Sequence, residues 1–258
     1  MAKQVLRAVR MYYAGLALAS NVNQVEVAAQ APEVSTDNFA GDGWAEMLSG
    51  VLTNTMTFSG FWGAPEPDAT LFSRIGSTDA AASVIPFPSG TSTKDEAGAT
   101  VTSFKIPAAG DIAFFSKVSQ LSHQVGGAIG QAAKLQLNLK GTDALVRGKV
   151  LEYQQEVAAT GNGTPLLVGA TSATQKLYLA VHVFRTQGTG ETLDLVLQSD
   201  DLVGFGSATT RITVPQFSDV GFYFGSIAGP VTDTYYRLAR TIAGTSPKFD
   251  YVACIGIF

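Results

Sequence analysis

Apolar and polar side chains alternate along most of this chain. That period of two limits its folds more than any other feature, because successive residues of a strand point to opposite faces. The clearest run is Lys134-Leu135-Gln136-Leu137-Asn138-Leu139-Lys140, with leucines on one face and polar residues on the other. Leu52, Met56 and Phe58 alternate with Thr53, Thr55, Thr57 and Ser59. The pattern returns at Leu177, Leu179, Val181 and Val183, at Leu193, Leu195 and Leu197, and at Phe249, Tyr251, Ala253, Ile255 and Ile257. β-branched and aromatic residues fill these runs, as half-buried strands prefer. Gly126-Gly127, Gly229-Pro230 and Gly244-Thr245-Ser246-Pro247 punctuate them. One stretch has helical signals instead. Pro67 offers a start, Asp68 an acidic first turn, Leu71, Phe72 and Ile75 an apolar stripe, and Gly76 a stop. The expected fold class is all-β with one short helix packed on a sheet.

A boundary is expected at residues 158–164, where Thr160-Gly161-Asn162-Gly163-Thr164 carries no apolar side chain and has strong turn character. Residues 1–157 hold about seven candidate strands and the helix. Residues 165–258 hold about six or seven short ones, the spacing of a β-sandwich.

Charged residues make up only 15 % of the chain, against about 25 % in typical globular domains. So sparsely charged a surface is either small or covered, and assembly would cover it. The net charge of −4 divides evenly: residues 1–152 carry 11 basic and 13 acidic side chains, residues 153–258 carry 6 and 8. With no basic arm or charged run, tight binding to nucleic-acid phosphates has no electrostatic source. Lys3, Arg7 and Arg10 precede the apolar stretch Met11–Ala19, which resembles a secretion signal. The basic residues are spread among apolar ones and the stretch is short, so secretion is not expected. Nor does any stretch reach the roughly 18 apolar residues of a membrane-spanning helix.

Catalytic chemistry has little to draw on. Of the two histidines, His182 stands out of phase with the apolar positions of its strand and is expected to face solvent or an interface; His123 lies in a mixed polar run. No G-x-S-x-G elbow is present. The single cysteine, Cys254, reads as a small buried hydrophobe, and it rules out an intrachain disulfide. Asp200-Asp201 could ligate calcium, but turn-capping aspartates account for them more simply. Gly126-Gly127-Ala128-Ile129-Gly130 lacks the Lys and Ser/Thr of a phosphate loop. Phe222-Tyr223-Phe224 and Tyr235-Tyr236 could form a sugar platform, yet apolarity on both faces fits a strand inside a sandwich. Neither an enzyme, a metal site nor a cofactor is expected.

Between the strands expected at Val22–Ala31 and Val51–Gly63 lies a long segment carrying Phe39, Trp44, Met47 and Leu48. Burying one such side chain is worth roughly 1.5–3 kcal/mol, and loops beyond about 12–15 residues are uncommon without a role. The segment is expected to pack on a neighbouring copy, with Asp37, Phe39, Trp44, Met47 and Leu48 as contact residues. Val5, Leu6, Arg7 and Arg10 form a second candidate contact arm.

The order of segments then resembles a known family. Asn21–Ala31 leads through Glu33-Val34-Ser35-Thr36-Asp37-Asn38-Phe39 into the long loop. Leu48-Ser49-Gly50-Val51 leads into Thr55-Met56-Thr57-Phe58-Ser59-Gly60-Phe61-Trp62, and Asp68-Ala69-Thr70-Leu71-Phe72 stands at the helix position. This succession is similar to that of siphophage major tail (tail tube) proteins. Leu193–Asp201, Thr209–Thr213 and Gly229-Pro230-Val231-Thr232-Asp233-Thr234-Tyr235-Tyr236 resemble a C-terminal extension found on some phage tail proteins. The resemblance implies a tail-tube-type β-sandwich or barrel body in residues 1–157 and an external β-sandwich decoration in 165–258. It also implies hexameric rings stacked into a hollow virion tail tube, made in the host cytoplasm. Tape measure, terminator and distal tail proteins would be partners, DNA would pass without binding, and the C-terminal part could touch the host surface. Asp and Glu are expected to outnumber Lys and Arg on the lumen. The alternatives are another virion component, such as a capsid decoration or tail terminator, and a secreted carbohydrate-binding β-sandwich protein. Trp44→Ala should hinder polymerisation and leave the folded body intact, seen as shorter or fewer tubes in electron micrographs with an unchanged melting temperature.

Overall fold

The alternating runs become strands in the computed structural model, which describes residues 6, 8–35, 47–49, 51–62 and 68–258. In chain order the first elements are β1 (Arg10–Tyr13), β2 (Leu16–Ala17), β3 (Val22–Gln30), β4 (Glu33–Ser35), β5 (Met47–Ser49) and β6 (Thr53–Phe61). Then come α1 (Asp68–Ser73), β7 (Ala80–Ile85), β8 (Gly90–Lys94), β9 (Thr100–Ile106), β10 (Ile112–Gly126), β11 (Lys134–Gly141) and β12 (Val146–Val157). The remainder forms β13 (Gly161–Asn162), β14 (Leu166–Leu167), β15 (Lys176–Asp200), β16 (Thr209–Thr213), β17 (Gly221–Ala228) and β18 (Tyr235–Ile257). Among the described residues the chain is all-β with one short helix, as expected.

One antiparallel sheet runs β16-β15-β18-β12-β10-β11-β6-β3, with β1, β2, β7, β13, β14 and β17 joined to its sides. The alternation sets its register. Leu137 lies opposite Phe58 and Leu139 opposite Met56, so the apolar face of β11 meets that of β6. β15 and β18, at 25 and 23 residues, replace several of the short strands expected in the second half. They pair from Leu177–Ile257 to Asp200–Tyr235, and their register shifts repeatedly between Val183 and Thr192. Gly188 (φ 136°) and Gly244 (φ 120°) sit at this corner, in backbone conformations an L side chain rarely takes. Bulges bend strands. The ribbon folds back there, so that Leu177–Val183 and Leu193–Leu197 bury their odd-numbered residues in the same core with Phe249, Tyr251 and Phe217.

Three cores follow one another through the molecule. The first joins Met11, Tyr13, Ala82 and Val84 to Met56, Phe58 and Leu135–Leu139, with Leu71 of the helix. The second draws Tyr12, Ile85, Phe115 and Val150 together with Tyr178, Ala180, Val252 and Cys254. The third is the core of the folded ribbon. β1 and β7 separate the first from the second and are buried throughout. The stretch 177–183 of β15 separates the second from the third and is likewise buried on both faces. This arrangement corrects the expectation for His182. Its out-of-phase position faces the second core rather than solvent, and its exposure is 0 %. Cys254 is buried in the same core.

The segment 158–164 carries β13, which pairs with Arg240 and Ala239 of β18. Gly163 donates its N–H to the Leu238 carbonyl at 2.7 Å. Strands on both sides of this segment share the large sheet and the second core. The apolar stripe expected on the helix is also narrower. α1 ends at Ser73, so Ile75 lies beyond it, and only Leu71 is buried; Phe72 is 65 % exposed.

A core built from both halves should unfold as one unit. Phe115→Ala, at a fully buried site of the second core, should cost about 3–5 kcal/mol. Urea unfolding followed by fluorescence and circular dichroism should show one coincident transition in parent and variant, and two separated transitions would contradict the shared core.

Candidate functional site

The sheet β3-β6-β11-β10 has one covered face and one solvated face. Alternation sends Val25, Val27, Met56, Phe58 and Leu135–Leu139 to the covered face, beneath α1. It leaves Gln24, Glu26, Thr55, Thr57, Ser59, Gln136, Asn138, Ser122 and Gln124 on the other, in register with one another. Hydroxyls and amides join across these strands: Asn138 Nδ2 donates to Ser122 Oγ at 2.7 Å, and Thr57 Oγ1 to Asn138 Oδ1 at 3.5 Å. The charges there are Glu26, Lys134 and Lys140. This face does not carry the acidic excess expected of a lumen.

β3 forms the margin of that sheet. It pairs with β6 alone among the described strands, over nine residues without proline or lysine. Natural edge strands are usually blunted by such residues or by a covering element. Here a bulge between Val22 and Gln24 interrupts the start of the strand, and beyond it the outer backbone donors and acceptors face no other described strand.

β10 fastens the helix onto the covered face from both ends. His123 Nε2 meets Asp68 Oδ1 at 2.8 Å in the first turn, and Phe72 stands edge-on to the imidazole at 6.0 Å. Gln120, fully buried, donates Nε2 to the Leu71 carbonyl at 2.9 Å. His123 is thus a structural clamp on the helix.

The β8–β9 hairpin is held to the body mainly by polar groups. Tyr12 OH donates to Glu96 Oε1 at 2.7 Å, Ser92 Oγ to Gln155 Oε1 at 2.6 Å, and Arg10 Nε to the Lys105 carbonyl at 2.6 Å. The Arg10 guanidinium also lies 3.9 Å from the Phe104 ring centroid. Beside the hairpin, Glu156 bonds Lys94 and lies 3.3 Å from Arg185, which in turn reaches Asp250 at 2.6 Å. The hydrogen bond from Lys94 leads the contacts that hold the Glu156 carboxyl below its usual range. Burial pushes Glu96 the other way, against the opposing effect of Tyr12 and Arg10. Sequence reasoning missed this cluster. The partners that join the hairpin to the body stand 61 to 95 residues apart, so no local spacing could reveal it.

The candidate contact residues fall in different places. Val5, Arg7, Asp37, Phe39 and Trp44 lie outside the described residues. Met47 and Leu48 belong to β5, paired with β4. Leu6 is 52 % exposed, whereas Arg10 is 7 % exposed and bonded within its own chain. That commitment makes Arg10 a brace for the hairpin rather than part of a free arm. Asp200 caps a turn: its carboxylate accepts the Leu202 and Ser207 N–H groups at 2.9 and 2.8 Å, which holds it below the usual range. Among the described residues no group of three or more His, Cys, Asp or Glu is placed to hold a metal. Phe222, Tyr223 and Phe224 pack against the first, third and second cores in turn, which spends all three aromatics on packing.

No family model matches the chain, and no curated protein matches it. Solved structures with a related arrangement include one from the virion of a native gene transfer agent particle, at 16 % identity and a TM-score of 0.34, covering 49 % of this chain and 84 % of that one. Another is from the anti-feeding prophage baseplate, at 11 % identity and a TM-score of 0.37, covering 55 % and 95 %. A third is the SPP1 Dit protein, from the hub adsorption apparatus of phages that infect Gram-positive bacteria. It shows 13 % identity and a TM-score of 0.35, covering 98 % and 100 %.

His182 and Ser83 form the one Ser–His pair among the described hydrogen bonds, with Nε2 and Oγ 2.9 Å apart. Both residues are 0 % exposed, and His182 Nδ1 has no partner, so this is a sealed core contact with no acid behind the imidazole. Burial pushes the His182 pKa down from 6.5 to about 3. The unfolded chain takes up this proton below pH 6.5 and the folded one does not. Stability from the neutral ring is therefore complete above 6.5 and lost as the pH falls towards 3. The loss reaches about 5 kcal/mol at the acid end. Melting temperatures measured across this range should fall with acid in the parent, and His182→Gln should flatten that dependence.

Proposed function

We propose that this chain is a structural protein of a phage tail, which joins copies of itself into rings that stack as the tail tube. The observation that carries this reading is the β3 edge, unpaired among the described strands, beside a wide sheet face of hydroxyls and amides. An edge of that kind is an association hazard in a free monomer, and a closed ring of copies can leave no such edge exposed. Six-fold closure, stacking, and contact with tape measure, terminator and distal tail proteins come from the resemblance of the segment order to tail tube proteins.

The solvated face supplies a reason for DNA to pass without sticking. Retention on phosphates needs several Lys or Arg side chains to displace counterions, and this face offers Lys134 and Lys140 against Glu26. Its remaining groups are neutral and hydrated. As a tube lining, this face with its two lysines and one glutamate would not meet the expected excess of Asp and Glu. The folded β15–β18 ribbon, with its own core, would lie to the outside as a decoration. The segment between β4 and β5 would reach the next ring.

Negative-stain electron microscopy of the purified protein tests the reading. Hollow tubes with a regular axial repeat and six-fold end views are expected. Closed rings that never elongate would favour a terminator or decoration role, and a monomer that persists at high concentration and binds glycans would overturn the proposal.

A further inference from the structure

One apolar groove remains that none of the contacts above fills. It lies where the start of β6, the turn after β11 and the end of β18 meet, and its volume is about 600 Å³. Ala29, Val51, Leu52, Ala144, Leu145 and Phe258 line it. Val51 is 83 % exposed, Leu52 67 % and Phe258 55 %. Single exposed apolar residues need no explanation, but a concave group of them marks a binding surface. The volume lies within the roughly 300–1,000 Å³ typical of sites that take a bulky ligand.

The rim is basic. Lys140 precedes Gly141 of the groove wall, and Lys176 exchanges both backbone hydrogen bonds with Phe258 at 2.8 and 3.0 Å. Both lysines are exposed, and neither has an acidic partner among the described residues. Asp143, whose Oδ1 accepts the Ala144 N–H at 2.7 Å, is the one acidic side chain lining the groove, against these two lysines.

The chain itself contains a segment of complementary chemistry. Thr36–Glu46 carries Asp37, Asp42 and Glu46 with no Lys or Arg, together with Phe39 and Trp44. We infer that the groove receives this segment from a second copy of the chain, its aromatic side chains on the apolar floor and its carboxylates toward Lys140 and Lys176. The inference rests on the self-assembly proposed above and names the surface that the inter-ring segment meets. A second copy is the donor that the proposed self-assembly supplies, and linkage of the segment to the groove of its own chain is the competing outcome of the test below.

Crosslinking tests this in the full-length chain. Ala45→Cys and Thr142→Cys place one thiol on the segment and one on the exposed groove rim, leaving Trp44 and the apolar floor in place. Cys254 does not compete, being fully buried with its thiol pushed up to about 12. The two variants are mixed before assembly and treated with a short bis-maleimide. An adduct of two chains is expected from the mixture, and a ladder from the doubly substituted chain. Lys140→Glu combined with Lys176→Glu should lower the adduct roughly fivefold, and adding Asp37→Lys and Asp42→Lys should restore it. Tubes that form without the adduct, or a doubly substituted chain that links only to itself, would overturn the groove assignment while leaving the tail-tube reading intact. Absence of tubes in the parent protein would overturn both.

Discussion

The second core is the constraint on which the rest of the molecule depends. It lies between β1 and β7 on one side and the opening half of β15 with the end of β18 on the other. Strands in these walls have no solvent face, so they lose the usual freedom of a sheet to place polar residues outward. β7 answers with Ala80, Ala81, Ala82 and Ser83, small enough for two packed layers to approach it. Two polar contacts are made here: Ser83 with His182, and Tyr12, at the margin, with Glu96.

With the interior fixed in this way, association is left to the margins. Both walls of the second core are sealed, while the β3 edge, the solvated face and the groove near Phe258 are open. The β8–β9 hairpin is a third kind of element. It adds little to the apolar cores and is held by charge-assisted bonds through Arg10, Glu96 and Glu156. Salt screens exposed ion pairs more than buried ones, so the Lys94–Glu156 contact responds to the surroundings more than the buried Arg10–Glu96 pair.

Much of the fold was legible because period two is a local signal. Leu135, Leu137 and Leu139 point inward as their spacing demands, and the helix begins at Asp68. The failures share a physical cause. Alternation tells which residues share a face but not whether the opposite face is also covered, so it predicts solvent or an interface for His182, which Tyr12 of β1 and Ser83 of β7 cover. Two apolar runs separated by glycines read as separate short strands, whereas Gly188 and Gly190 carry one strand round a corner. Of the candidate site, the open β3 strand could be read from Val22–Gln30. The hairpin braces could not, because Arg10 and Lys105 or Tyr12 and Glu96 meet only in the folded chain.

The doubly covered wall of β1 and β7 also bears on how the protein is made. Tyr12 and Ile85 emerge early during synthesis, yet Tyr178, Ala180, Val252 and Cys254, which cover them, come more than 90 residues later. Until then the nascent chain carries an uncovered greasy sheet surface, the kind of intermediate that chaperones hold. Premature joining of unfinished chains is therefore a hazard until the later strands arrive to cover that surface.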